Sequence, residues 1–432
     1  MLIYIIAALI TVFIPFIYFN KYKKQTSSAA SQHENNLKTG ITEPVTLHPK
    51  IDVNSCIATG ACVRACPEGE ILGIVNGRAR IISPTKCIGH GACQSACPTD
   101  AISLVFGTSQ RGVDLPVVKE TFETNVPGIF IAGELGGMGL VRNAITQGRE
   151  AVEYISKSIQ KNGDNLYDLL IVGAGPAGIA AGLQAKKENL KYCIIEQEAD
   201  LGGTVFNFPR QKIVMIQPMI IPLYGKFTRR EIQKEELLSL WKTIVEEYQL
   251  DIITSQKVDT ITGKDNNFII ETNREQYRSK KALLTIGRRG TPRKLGVSGE
   301  NSTKVTYKLL DPVQYKNKHL LVVGGGDSAI EAAITLGEQK ETTVTLSYRK
   351  DQFSRIKDGN RQRIDAALKE GWVEILFNSK VKEIKEHEVI LSTSSNEKII
   401  KNDYVFVLIG GELPTKFLQN IGITMETKYG VA

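Results

Sequence analysis

The sequence predicts an α/β protein with two doubly wound parallel-sheet domains, a small cysteine-rich α+β unit and an N-terminal transmembrane helix. Three observations carry this. A strand–glycine cluster–helix–strand pattern occurs twice, at 168–197 and 318–349. A short cysteine pattern also occurs twice, as CIATGACVRACP from Cys56 and CIGHGACQSACP from Cys87. Residues 1–19 carry no charge. At 432 residues the chain has room for several cores.

The uncharged run MLIYIIAALITVFIPFIYF is long enough for one membrane helix, and such helices tolerate a proline like Pro15. Lys21, Lys23 and Lys24 follow at once, which puts the C-terminal side in the cytoplasm. A secretory leader would carry its charge ahead of the apolar run. Residues 1–20 are therefore expected to be a single-pass anchor in the cytoplasmic membrane, with a cleaved leader as the alternative. Residues 21–47 are expected to be a linker, because 25–45 is polar and built of small residues. The net charge of +8 suits a membrane surface or an acidic redox partner. No nucleic-acid motif accompanies it, so nucleic acid is not an expected partner.

Six of the seven cysteines fall within 56–97, in two groups that each end in Cys-Pro. Such clustering reads as cofactor ligation and not as a disulfide framework. The six are Cys56, Cys62 and Cys66, then Cys87, Cys93 and Cys97. Zinc is the alternative, although its usual spacings differ. Cys193, in the apolar run YCIIE, reads as an inert strand residue.

The first glycine motif comprises Gly173, Gly175, Pro176, Ala177 and Gly178, directly after a strand. Its glycines permit a tight turn, close approach of a pyrophosphate and helix packing. Glu196 ends the next strand, followed by Gln197, where a carboxylate can accept from ribose hydroxyls. The second motif comprises Gly324, Gly326, Asp327, Ser328 and Ala329. Its following strand ends near Arg349, Lys350 and Arg355 with no carboxylate in the ribose position. Basic residues there suit a 2′-phosphate, so NADPH is expected, with NADH as the alternative. A solvent-facing role for these cations is the plainer reading. Arg355, Lys357, Arg361 and Arg363 could help hold NADPH or dock an acidic partner, or equally form a solvent face. The stretch 226–247 reads as a solvated helix.

Residues 166–299 and 300–432 resemble the two halves of a thioredoxin-reductase-like flavoprotein. The resemblance implies FAD in the first half and NAD(P)H in the second. It covers LGGTVFNFP at 201–209, which puts Gly202, Gly203 and Thr204 beside the flavin. It also covers LLTIGRRGTP at 283–292, which adds Gly287, and it adds Val258 as a further cofactor contact. In the family a segment of the type TNVPGIFIAGD closes the FAD domain at its C-terminus. Here TNVPGIFIAGE lies at 124–134, ahead of the first motif, while the terminal IGITMETKYGVA resembles what should lead into it. A circular permutation is implied, with 107–165 as the C-terminal part of the FAD domain. Gly133 and Glu134 are then expected at the flavin, with a helix starting near Met138. The family's Cys-x-x-Cys should follow Val305-Thr306-Tyr307, but Lys308 to Asp311 stand there. Relatives without it include ferredoxin–NADP reductases and bacillithiol-disulfide reductases.

The cysteine repeat at 48–106 resembles bacterial two-cluster ferredoxins, in which the fourth cysteine of each run serves the other cluster. Thr59 and His90 stand where the second cysteine belongs. Crossed ligation implies one site with Cys56, Cys62 and Cys97, and another with Cys87, Cys93 and Cys66. A [3Fe–4S] cluster, or a [4Fe–4S] cluster with an exchangeable ligand, is expected beside Thr59. A [4Fe–4S] cluster ligated by His90 is expected at the second site, with His90 as a surface residue beside a three-cysteine cluster as the alternative. The expected activity is electron transfer between NAD(P)H, FAD and these clusters, with no side-chain acid or base, at a membrane. A redox protein or membrane electron carrier is the expected partner, and the resemblance implies a homodimer. A low-molecular-weight disulfide reductase and a membrane-tethered redox sensor are the alternatives.

Overall fold

The computed structural model describes residues 2–38, 44, 47–87, 89–109, 112–137, 139–159, 166–208, 212–215, 218–288, 290, 292–339, 341–353, 356–394 and 396–430. The chain divides into two compact units, Met1–Val113 with Lys428–Ala432, and Asp114–Thr427.

In the first unit, helix α1 runs Leu2–Lys38. Among the described residues no helix is long and apolar enough to cross a membrane, so the expected transmembrane helix over 1–20 is not supported. The expected linker is also corrected, because residues 21–38 continue α1. The polar end of the helix is docked on the strands β2 (Leu72–Val75) and β3 (Arg78–Ile81) and the turn that follows them. Ala29 is buried with Val75 and Ile82. Gln32 Nε2 donates to Ser83 Oγ at 2.7 Å, and Asn36 Nδ2 donates to Ile82 O at 2.6 Å. Gly73 permits this approach, since a Cβ there would lie 2.6 Å from that of Ala29. A run of small polar residues reads as a tether when nothing is known to receive it. Here a neighbouring hairpin does.

Strand β1 (His48–Ile51) pairs antiparallel with β4 (Ile102–Val105), and β2 with β3. The β2–β3 hairpin turns on Asn76 and Gly77, both at positive φ, as a two-residue turn of matching twist requires. The one-turn helices α2 (Ala61–Ala65) and α3 (Ala92–Ser95) start after Gly60 and Gly91, at φ +68° and +80°. The core joins Ile71, Leu72, Ile74 and Ile102 to four buried cysteines.

The second unit holds two larger sheets, one mixed and one all parallel. In the first, β7 (Tyr167–Val172) lies between β8 (Tyr192–Ile195) and β16 (Gln276–Leu284), and α5 (Pro176–Lys187) joins β7 to β8. Strand β13 (Ile252–Ile253) extends the sheet beyond β8. The start of β16 continues antiparallel into β15 (Asn267–Thr272) and β14 (Val258–Lys264). Its last residues also pair parallel with β6 (Ile129–Ile131), so a strand ahead of the first glycine motif completes the sheet. Helix α4 (Val141–Ser158) follows β6 and packs on α5. The short strand β5 (Val113–Pro116) pairs with β25 (Met425–Lys428). Beside it Val117 N–H donates to Thr424 O at 2.9 Å, Asn125 Nδ2 donates to Gly422 O at 2.8 Å, and Thr427 Oγ1 donates to Asp114 at 2.6 Å. The terminal segment thus runs beside the start of the relocated one, as the permutation requires.

The pairs β9 (Ile213–Met215) with β12 (Glu231–Gln233), and β10 (Met219–Ile221) with β11 (Gly225–Phe227), precede α6 (Lys234–Glu247). The expected helix over 226–247 therefore starts only at Lys234, because its first residues form hairpin strands. The second sheet runs β17 (Val305–Thr306), β24 (Tyr404–Val407), β18 (His319–Val323), β19 (Thr343–Ser347) and β20 (Val373–Leu376) in spatial order, all parallel. Helices α7 (Asp327–Gly337) and α8 (Asp358–Lys369) pack on it. Strands β21 (Lys380–Ile384), β22 (Glu388–Ser392) and β23 (Glu397–Lys401) form an antiparallel layer.

Candidate functional site

At the first glycine motif the backbone turns from β7 into α5 through Gly173, at φ +106°. A Cβ on Gly178 would lie 1.8 Å from Gly173 O, so a side chain there would break the turn. Pro176 opens α5, whose free N–H groups and dipole face the turn. Gly203, at φ +54°, approaches Gly175 so closely that its Cβ would lie 3.3 Å from the Gly175 Cα, and Gly202 N–H donates to Ala174 O at 3.0 Å. Thr204 continues a short 3-10 turn there. Glu196 is 5% exposed. Its carboxylate accepts from Ala174 N–H at 2.6 Å and Glu198 N–H at 2.9 Å. Burial pushes its carboxyl above the usual range, against the pull of those two N–H groups. Gln197 is exposed beside it.

The relocated segment reaches the same place. A Cβ on Gly133 would lie 3.0 Å from the Ala177 Cβ. The Glu134 carboxylate lies 3.9 Å from a Cβ built on Gly287, so these expected residues converge. Met138 lies outside the described residues, and α4 begins at Val141. The Val258 side chain is buried with Val172, Cys193 and Ile195. Two residues of the site had gone unread. Thr285 Oγ1 bonds to Val172 O and Gly173 O at 2.9 and 2.8 Å, which pins the glycine turn to β16. Gln147 Oε1 accepts from Gly133 N–H at 2.8 Å. A threonine directly after an apolar strand was a weak signal for the first, and nothing local marked the second.

In the second sheet Gly324, at φ +151°, leaves 2.4 Å between a built Cβ and Leu408 O. Gly326 is open, Ser328 is exposed and Ala329 is buried. The Tyr348 ring lies over Gly325, where a Cβ would come within 2.1 Å of it, and stacks on Phe353 at 5.4 Å. Asp327 does not face an open cradle. Its Oδ1 accepts from Lys357 N–H at 2.8 Å and Asn360 Nδ2 at 2.7 Å, tying α7 to α8. Arg349 and Lys350 are exposed just past β19. Arg355 lies outside the described residues. Lys308, where the family dithiol would begin, pairs with Glu198 at 3.6 Å.

The cysteines form two cavities. One is lined by Cys56, Cys62, Cys97 and Thr59. The other is lined by Cys66, Cys87, Cys93 and His90. These are the two crossed sets. Ala79 N–H donates to Cys56 Sγ at 3.4 Å and Ala101 N–H to Cys97 Sγ at 3.3 Å, the kind of bond that tunes cluster sulfurs. Among the described residues, no three Cys, His, Asp or Glu side chains converge on a point fit for a single metal ion. A polyatomic cluster needs wider spacing, so three cysteines around each cavity fit clusters better than zinc. Burial pushes the Cys62, Cys66 and Cys87 thiols up, and Cys93 up to about 11. Such thiols become thiolates when a cation is bound.

A family model described as pyridine nucleotide-disulphide oxidoreductase matches residues 170–431, well over half the chain. The chain belongs to that family. A 4Fe-4S dicluster domain model matches residues 48–98. Bacilliredoxin reductase of Bacillus subtilis is 27% identical over 60% of this chain and 82% of its own length. A ferredoxin–NADP reductase of Ignicoccus hospitalis is also 27% identical, over 60% and 83%. The structure of a bacillithiol disulfide reductase from Staphylococcus aureus superposes with a TM-score of 0.53 and 25% identity, over 60% and 81%. This oxidoreductase is thus an FAD-dependent NAD(P)H enzyme that carries a 4Fe-4S domain. The glycine cradle at Gly173–Gly178 beside Glu196 fits FAD, and the cradle at Gly324 fits a second nucleotide.

Proposed function

We propose that this chain is a ferredoxin–NADP-reductase-like enzyme that exchanges electrons between NADPH and an external redox partner through its own iron–sulfur domain. The observation that carries this reading is the cysteine distribution. Outside 56–97 the chain has one cysteine, Cys193. It is fully buried, and burial pushes its thiol up to about 12, so it is neither accessible nor nucleophilic. The flavoprotein unit therefore has no dithiol of its own, while the cluster domain has six cysteines around two cavities. When bound, FAD would link two-electron and one-electron chemistry, and the clusters would carry single electrons. The chain's residues position these groups. Gly173, Gly175 and Gly178 admit the pyrophosphate of FAD, and Glu196 and Glu134 hold its polar parts. Arg349 and Lys350 offer charge to the 2′-phosphate of NADPH. Cys56, Cys62 and Cys97 would hold one cluster, and Cys66, Cys87 and Cys93 the other.

Anaerobic reduction by NADPH, followed by optical and EPR spectra, tests this. Flavin bleaching with a parallel change in cluster signal is expected. Bleaching with unchanged cluster signals would overturn it. A second reading, a low-molecular-weight disulfide reductase, is favoured by the names of two relatives. It requires NADPH-dependent disulfide turnover that survives Cys62→Ser with Cys93→Ser.

The proposal extends to a cytoplasmic-membrane location, an acidic redox protein or membrane carrier as partner, and a homodimer. Membrane attachment through 1–20 is supported by the uncharged run, by the exposure of Phe13, Phe16 and Phe19, and by Lys21, Lys23 and Lys24 beyond them. Flotation of the full chain with anionic vesicles is expected, with loss of flotation when residues 2–20 are removed. A full chain that stays unbound would sink that part.

A further inference from the structure

We infer that Thr59 and His90 are turn caps and not cluster ligands, so that each site is a three-cysteine site whose fourth corner is filled from solution. The inference rests on the assignment of the two cavities to clusters, and it departs from the expectation that His90 ligates iron.

Thr59 and His90 each stand two residues ahead of a one-turn helix. Thr59 Oγ1 accepts from Ala61 N–H at 3.3 Å. His90 Nδ1 accepts from Ala92 N–H at 3.3 Å. Between each pair lies a glycine at positive φ, Gly60 or Gly91. The same bond thus recurs in both halves of the repeat, made by a hydroxyl in one and an imidazole in the other. What the two residues share is an acceptor that satisfies a free N–H at a helix start. They do not share an affinity for iron.

The polarity of the His90 contact decides its role. A backbone N–H can only donate, so Nδ1 presents its lone pair to Ala92, and the proton of the neutral ring sits on Nε2. Nε2 is the nitrogen 4.0 Å from Cys66 Sγ, at the cavity. A neutral imidazole ligates through its unprotonated nitrogen and gives the other N–H to an acceptor. His90 has the opposite arrangement. It offers an N–H to the sulfur of Cys66, and donors to cluster sulfurs tune the potential. Thr59 is exposed, so its corner opens to solvent. A small oxygen or sulfur donor, hydroxide or a thiolate, is the class of ligand that each fourth iron would take.

The full chain, purified anaerobically, would be compared with His90→Asn and with the double variant Thr59→Cys/His90→Cys. Asparagine keeps an acceptor for Ala92 N–H and lacks imidazole. Iron, acid-labile sulfide and EPR would be followed through ferricyanide oxidation, with flavin content as the check on folding. The natural chain and His90→Asn are both expected to fall from about eight irons to about six, because each four-iron cluster gives up one. The double variant is expected to keep all of them. Pulsed EPR of the natural chain should show no directly coordinated nitrogen. A strongly coupled nitrogen that vanishes in His90→Asn, with loss of iron from that variant alone, would overturn the inference. Absence of acid-labile sulfide from all three proteins would overturn the cluster assignment and the inference with it.

Discussion

Gly148 of α4 meets Ala177 of α5 with no room for a side chain, since a Cβ on Gly148 would lie 2.1 Å from the Ala177 carbonyl oxygen. Helix α4 comes from the segment ahead of the first glycine motif, and α5 from the motif itself. Two stretches far apart in the family's chain order form one helix pair, next to the turn that admits FAD.

Gly148→Ala should therefore force the helices apart. Overpacking of this kind costs about 1–3 kcal/mol. A lower melting temperature and faster flavin release are expected, read by thermal denaturation followed through flavin fluorescence. An unchanged flavin off-rate would detach α4 from the cofactor site.

Glu196 should show itself in the pH dependence of the apoprotein. Burial raises its folded-state pKa, so the native state holds the proton more tightly than the unfolded chain does. Its stabilising share is complete below the unfolded glutamate value, about pH 4, and is lost as pH rises through the raised folded value. Urea midpoints should fall over that window in the natural apoprotein and stay flatter in Glu196→Gln. The variant should also bind FAD about tenfold or more weakly, since hydrogen bonds to a charged group contribute about 1.5–3 kcal/mol.

On the proposed reading, Arg349 would separate the two nicotinamide cofactors. Arg349→Ala should raise KM for NADPH about tenfold, roughly 1.4 kcal/mol, and leave KM for NADH unchanged. Steady-state kinetics with both cofactors checks this, and an equal change for both would place Arg349 away from the 2′-phosphate.

Asp168 and Lys280 form a buried pair at 3.0 Å, with side-chain exposures of 11% and 5%. Asp168 also accepts from Lys191 N–H at 3.0 Å. Asp168→Ala removes the carboxylate that faces the ammonium inside the sheet. A loss of about 3–5 kcal/mol is expected in denaturant unfolding. A loss under about 1 kcal/mol would mean that solvent reaches the pair.

Much of the architecture was legible because its signals are local. Each glycine motif is a short run in which strand, turn and helix follow directly, and the structure has Gly173 and Gly324 at the positive φ such turns require. The division of the cysteines was legible through the repeat, and the two cavities take the crossed sets. Residues 21–38 were misread because their helix depends on a partner surface at Gly73 and Ile82, which no local pattern announces. The bonds that tie the Asp327 side chain to Lys357 and Asn360 were not legible either, because they join residues about thirty positions apart.

The sequence alone determined the two nucleotide cradles, the six-cysteine domain and the lack of a dithiol, because each follows from residue types at fixed short spacing. Tertiary structure alone decided that β6 completes the sheet of β7 and β16, that Thr285 pins the glycine turn, and that His90 turns its lone pair toward Ala92 and its other nitrogen toward Cys66. The spacing of a motif states which atoms are within reach, whereas the direction of a hydrogen bond depends on what the fold places opposite them.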